Sequence, residues 1–176
     1  MTQRAMEDIL PLTPLQEGLL FHSVYDEQSV DVYTVQVVVD LEGPVDPEAL
    51  RAAAAALLRR HANLRAAFRY ERLQRPVQII PREVAVPWEH TDVAKLEGAE
   101  QKAEIERLLH DQRWRRFDLT APPLLRFLLV RTGHDRHRFA LTFHHILMDG
   151  WSMPVLLREL ITLYRTGDET ALPWVR

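Results

Sequence analysis

Two adjacent histidines, followed four residues after the second by an aspartate and a glycine, form the segment of this chain best equipped for chemistry: Phe143-His144-His145-Ile146-Leu147-Met148-Asp149-Gly150-Trp151-Ser152. The apolar run before the pair places it at the mouth of a strand. Asp149-Gly150 then leads into a helix for which Ser152 is the expected cap. Neighbouring side chains on a strand point to opposite faces, so His144 and His145 cannot act as equals: one lines a cleft and the other packs behind it. Three chemistries fit these residue types. The pair can be a packed, hydrogen-bonded couple; it can ligate zinc together with Asp149; or one histidine can be an acid–base or positioning group on a loop that the aspartate fixes. Zinc needs three or four ligands, and the remaining histidines, His22, His61, His90, His110, His134 and His137, show no paired ligand spacing.

The elements that must position this loop are legible in the pattern. Thr13-Pro14 is the expected start of a helix, with threonine as cap and proline at its first position. Residues 32–41, rich in β-branched side chains, predict a strand closed by Gly43-Pro44. Asp46-Pro47-Glu48 opens a helix reaching about His61, whose alanine run is core and filler. Strands are expected at Leu64–Tyr70 and Pro76–Ile80, and a charged helix from Gly98 to Arg115. Two more strands, Leu124–Arg131 and Arg138–His144, are joined by a hairpin turn at Thr132-Gly133-His134-Asp135, and a last helix covers Ser152 to Tyr164. Alternating strands and helices with hairpins among them give an α/β fold with a mixed open sheet flanked by helices. The closing residues, ETALPWVR, contain no element that would complete a second layer, and read as the start of a linker.

Composition narrows the function classes. The 176 residues carry 22 Lys and Arg against 25 Asp and Glu, a net charge of −3, which argues against a general nucleic-acid binder. Arg113-Trp114-Arg115-Arg116 is basic and aromatic but isolated in an acidic chain. With no cysteine, a disulfide framework, a thiol nucleophile and a thiolate metal site are excluded. No apolar run approaches a membrane span, and the first residues lack the clean apolar stretch of a signal peptide, so the expected location is the cytoplasm. A His-x₄-Asp pattern also occurs in membrane glycerolipid acyltransferases, but no membrane-anchoring stretch accompanies it here.

The loop resembles the HHxxxDG signature of condensation domains of nonribosomal peptide synthetases, shared with the wider superfamily of chloramphenicol-acetyltransferase-like acyltransferases. Three further segments are similar to family motifs and occur in the same order: Leu12-Thr13-Pro14-Leu15-Gln16-Glu17-Gly18-Leu19-Leu20-Phe21-His22, Arg60-His61-Ala62-Asn63-Leu64-Arg65-Ala66-Ala67-Phe68, and Phe117-Asp118-Leu119 followed by Pro123-Leu124-Leu125-Arg126. Ala62 and Ala66 depart from the family's usual acid and threonine.

The resemblance implies a chloramphenicol-acetyltransferase-like N-terminal lobe over residues 1–170, with 171–176 starting a linker to a C-terminal lobe of the same domain. It implies amide formation between a donor acyl or peptidyl thioester and the α-amine of an acceptor aminoacyl thioester. Both ride on phosphopantetheine arms of donor and acceptor peptidyl carrier protein domains, next to an adenylation domain. No directly bound cofactor or metal, no nucleic acid and no membrane is implied. His145 becomes the catalytic residue, as base or positioning group. His144, Asp149, Gly150 and Arg60 become structural residues of its loop, with Gly150 allowing close backbone approach and Asp149 pairing with Arg60. Arg65 is the rival partner of Asp149, and Trp151 and Arg65 are candidate substrate-channel residues. Alternatives within the resemblance are a stand-alone acyltransferase using coenzyme A and a silent relative that recruits a partner enzyme; the intact histidine motif argues against silence.

Overall fold

The computed structural model describes residues 5–25 and 31–174. A four-stranded sheet carries the histidine loop. Its strands are β2 (Thr34–Glu42), β7 (Arg136–His144), β6 (Leu125–Gly133) and β5 (Trp88–Asp92) in that order across the sheet. The β2–β7 and β7–β6 pairs are antiparallel and β6–β5 is parallel, so the sheet is mixed as the hairpin pattern predicts. A smaller antiparallel sheet has the order β1 (Met6–Pro11), β4 (Val77–Pro81), β3 (Ala67–Arg69). The helices are α1 (Pro14–Tyr25), α2 (Pro47–Arg60), α3 (Gly98–Trp114) and α4 (Ser152–Thr166).

Strand β6 explains the layering. Its residues are buried almost without interruption, because both of its faces are covered. Phe127 and Leu129 join Phe139 and Leu141 of β7 in a core shared with α2 and α4. Leu128 and Val130 face the other way, onto a smaller cluster with Ala140 of β7 and Ile105 of α3. Helix α2 begins as its sequence dictates: the Asp46 carboxylate accepts the N–H groups of Glu48 and Ala49 at 2.9 and 3.1 Å, and Pro47 stands at the first position. Its buried stripe, Leu50, Ala53, Ala54 and Leu57, lies with the buried stripe of α4, Met153, Leu156, Leu160 and Leu163, in the larger core. Helix α4 ends at Gly167, whose φ of +64° places its N–H on the Leu163 carbonyl at 2.8 Å, a geometry that favours glycine.

One sequence expectation is revised, two strands are unmarked by pattern, and the tail gains a turn. The strand expected over 64–70 is a 3₁₀ turn, Ala62–Arg65, followed by the short β3, because Arg65 turns its guanidinium back onto the carbonyls that end α2. Strands β1 and β5, MEDILP and WEHTD, are edge strands with polar faces and no alternation to mark them. The tail is not featureless. Glu169–Ala171 forms a 3₁₀ turn, and Arg60 donates to the Pro173 carbonyl, while residues 175–176 of the expected linker lie outside the described residues.

The segment containing Phe117 and Arg126 acquires a mechanical meaning. Arg126 is buried on β6 with its guanidinium carbon 3.9 Å from the centre of the Phe117 ring. Its Nε donates to the Gln112 carbonyl at 3.0 Å and its Nη2 to the Arg115 carbonyl, closing the C-terminal end of α3. Burial, aided by nearby Arg115, pushes its pKa down to about 10, which leaves it charged at neutral pH. Arg126→Ala should lower the free energy of unfolding by about 2–3 kcal/mol, since it strands the buried Gln112 carbonyl and removes the donor to the half-buried Arg115 carbonyl. Arg126→Lys should recover only part of that, because one ammonium cannot reproduce the fork. Urea denaturation checks both; an Ala variant of native stability would show that the arginine braces nothing.

Candidate active site

His144 is the last residue of β7 and is completely buried. The N–H of Ile146, an obligate donor, points at His144 Nδ1 from 3.1 Å, so Nδ1 must present its lone pair and Nε2 must carry the proton. Nε2 lies 3.1 Å from Asp31 Oδ2 and 3.2 Å from Ser23 Oγ. Asp31, whose side chain is 3% exposed, accepts the Tyr33 N–H on its other oxygen at 3.0 Å. Burial opposes the Asp31 charge, but the bonds from His144 and Tyr33 and the field of Arg116 outweigh it and hold the carboxyl below its ordinary range. Serine, histidine and aspartate here do not form a nucleophilic relay. A relay needs its acid and its hydroxyl on opposite ring nitrogens, whereas both share Nε2 and the backbone occupies the other. The first histidine is a structural post.

His145 begins the turn. Its N–H donates to the Tyr33 carbonyl at 2.9 Å, and the residue is half-buried. Among the described residues, no hydrogen bond or ion pair engages its ring. The following side chains, Ile146, Leu147 and Met148, are buried in the main core, so the loop carrying His145 is anchored along its length. An unengaged imidazole on an anchored turn can accept a hydrogen bond from an incoming group.

The expected pairing of Asp149 with Arg60 is corrected. Asp149 is exposed and accepts both the N–H of Ser152 at 3.0 Å and its hydroxyl at 2.9 Å, bonds that lower its pKa. Asp149, not Ser152, therefore supplies the side-chain acceptor that caps the start of α4, just before its N-cap position at Trp151. Arg60 closes α2 beside the middle of α4, where Nε meets Glu159 Oε2 at 3.0 Å, and His61 Nε2 reaches the same oxygen at 2.6 Å. Burial opposes the Glu159 charge, and His61 and Arg60 together reverse that effect and lower its pKa.

Arg65 is also reassigned, both as rival partner of Asp149 and as a channel residue. It is 3% exposed and bonds the Leu58, Arg59 and Pro81 carbonyls and the Glu7 carboxylate, bracing α2 against the smaller sheet. Gly150 is exposed, and a Cβ there would meet no described atom within 4 Å, so no close approach within the described residues requires glycine. Trp151 is 88% exposed, and with His61, Asn63, Asp149 and Val155 it borders a cavity of about 360 Å³ beside the loop. Ser23, Asp31 and Glu159 are site residues that local pattern does not mark as such. Only Glu159 leaves a signal, an acid on the buried stripe of α4. No group of three or more metal-ligating side chains occurs among the described residues, and none of their helices is long and apolar enough to cross a membrane.

Comparison with known proteins agrees with this architecture. The family model described as Condensation domain matches residues 6–175, and the chain belongs to that family. It is 39% identical over 160 residues to bacitracin synthase 3 of Bacillus licheniformis, covering 91% of this chain and 2% of that protein. It is 38% identical over 164 residues to tyrocidine synthase 3 of Brevibacillus parabrevis, covering 92% of this chain and 2% of that protein. Among solved structures, the first condensation domain of the calcium-dependent antibiotic synthetase, in complex with a substrate analogue, superposes with a TM-score of 0.80 at 25% identity. That superposition covers 90% of this chain and 38% of the other. The chain thus spans a few hundredths of the length of these curated relatives and under half of that solved chain.

Removing Glu159 should hurt more than removing Asp149. Glu159→Ala removes the carboxylate that Arg60 and His61 share and should cost about 3–5 kcal/mol, whereas Asp149→Ala should lose only the smaller contribution of an exposed helix cap. Asp31 and Glu159 have depressed pKa values, so their contribution is complete above the ordinary values of 3.8 and 4.5 and is lost as pH falls below them. Asp31→Asn should accordingly flatten the acid limb of a stability–pH curve measured by denaturant melts. An unchanged acid limb, or a collapse in Asp149→Ala alone, would contradict these assignments.

Proposed function

We propose that residues 1–170 form the N-terminal lobe of a peptide-synthetase condensation domain, acting in the cytoplasm, and that 171–176 begin the link to its C-terminal lobe. In this reading the α-amine of an acceptor aminoacyl thioester attacks the carbonyl of a donor acyl or peptidyl thioester. The C–N bond forms, the C–S bond breaks, the donor arm leaves as a thiol, and the amine gives up one proton. Both substrates are held on phosphopantetheine arms of partner carrier domains, with an adenylation domain in the same synthetase. The observation that carries the reading is the contrast within the histidine pair. His144 is consumed by structure, while His145 keeps its ring unengaged on a turn whose neighbours are buried.

The energetics assign His145 its work. A free α-amine has a pKa of about 7.7–8.0, so a useful fraction is neutral near pH 7.5 without help. General base catalysis contributes roughly 10²–10⁴-fold, whereas orienting two reactants supplies effective molarities of about 10⁵–10⁸ M. Orientation therefore contributes more than proton transfer, with His145 accepting a hydrogen bond from the attacking amine. Relatives that are peptide synthetases support carrier-bound thioesters over coenzyme A, and the complete histidine motif supports an active lobe.

In the full-length protein that carries this chain, His145→Ala should cut single-turnover amide formation by about 10²-fold or more while leaving carrier loading intact. Mass spectrometry of the elongated carrier reads this directly. The 176-residue chain alone, mixed with loaded donor and acceptor carriers, should yield no product. A folded His145→Ala variant at native rate would remove His145 from the site, and product from the isolated chain would refute the two-lobe reading.

A further inference from the structure

Two carboxamide side chains from outside the histidine loop hold its backbone. Gln16 lies in the first turn of α1. Its side-chain oxygen accepts the Thr13 N–H at 3.0 Å, and Thr13 Oγ1 accepts the Gln16 N–H at 3.2 Å, a reciprocal capping box. With the oxygen committed to the cap, the amide nitrogen faces the loop and donates to the Ile146 carbonyl at 3.4 Å. Asn63 lies in the 3₁₀ turn that follows α2, and its Nδ2 donates to the Leu147 carbonyl at 3.3 Å. The N–H groups of the same residues are already taken, Ile146 by His144 Nδ1 and Leu147 by the His144 carbonyl at 3.1 Å. The three peptide units after His145 are therefore gripped from three separate elements: β7, α1 and the end of α2.

The geometry points to Gln16 and Asn63 as positioning residues for the bond-forming step, a role that rests on the amide-forming reading above. Both bonds are long for N–H···O contacts and weak singly, so neither holds the fold together. Their effect is directional. Ile146 follows His145 directly, and rotation of the 146 or 147 peptide would swing the imidazole away from its line of action. A displacement of about 1 Å at a reacting centre costs on the order of 10²-fold in rate. Gln16 also separates its two duties by atom: the oxygen caps α1 and the nitrogen serves the loop.

That separation gives the experiment. In the full-length protein, Gln16→Glu retains the acceptor for the Thr13 N–H but places a carboxylate oxygen against the Ile146 carbonyl, and Asn63→Asp does the same at Leu147. Both should lower the single-turnover rate by about 10–100-fold with unchanged melting temperature and unchanged KM for either loaded carrier. Gln16→Met loses the cap as well and should lower both melting temperature and rate. Native rates in Gln16→Glu and Asn63→Asp, or rates that merely track melting temperature, would overturn the assignment. Wild type and His145→Ala are run alongside. A wild type that forms no amide rejects the underlying reading, whereas active wild type, inactive His145→Ala and fully active carboxamide variants reject only the positioning role.

Discussion

The histidine loop depends on one buried contact, the hydrogen bond from His144 Nε2–H to the Asp31 carboxylate. It forces the ring into one tautomer, and that tautomer leaves Nδ1 free to receive the Ile146 N–H. A strand that would otherwise run on is thereby turned at a fixed residue, and His145 emerges at the bend. Register supplies the partner: His144 pairs with Thr34 at the start of β2, which brings the chain just before β2, with Asp31 and Tyr33, alongside. Of two adjacent histidines of identical chemistry, among the described residues only His144 meets a carboxylate.

The other motif segments act as braces. Arg126 stacks on Phe117 and closes α3; Arg65 closes α2 and reaches the smaller sheet; Arg60 joins the end of α2 to the buried face of α4 through Glu159. Arg65 and Arg126 donate to carbonyls that end α2 and α3, where such donors are needed, and Arg60 lies in the last turn of α2. Buried cations at such sites hold elements in register, and their removal leaves polar groups without partners.

Much of this was legible in the residues. The Asp46-Pro47 cap, the β6–β7 hairpin and the mixed sheet follow from local pattern, and strand alternation already separates the surroundings of the two histidines. What was not legible depends on contacts distant in sequence. Asp31 lies 113 residues from His144 and carries no mark of its role. Glu159 took Arg60 away from Asp149 because the crossing of α2 and α4, which local pattern does not fix, sets which acid it meets. Arg65, which the family resemblance offered as a channel residue, turns its guanidinium inward instead, a direction that an RHxxLR run does not reveal. Edge strands β1 and β5 hid because edges need no apolar alternation.

The central claim, that a carboxylate-held tautomer of His144 sets the loop, is tested most directly by nitrogen-15 NMR of the histidine rings. The account predicts His144 as the Nε2–H tautomer, with Nδ1 unprotonated and coupled through a hydrogen bond to the Ile146 amide. It also predicts that Asp31→Asn disturbs that signal before any other histidine's. A His144 ring protonated on Nδ1, or a spectrum indifferent to Asp31, would contradict it.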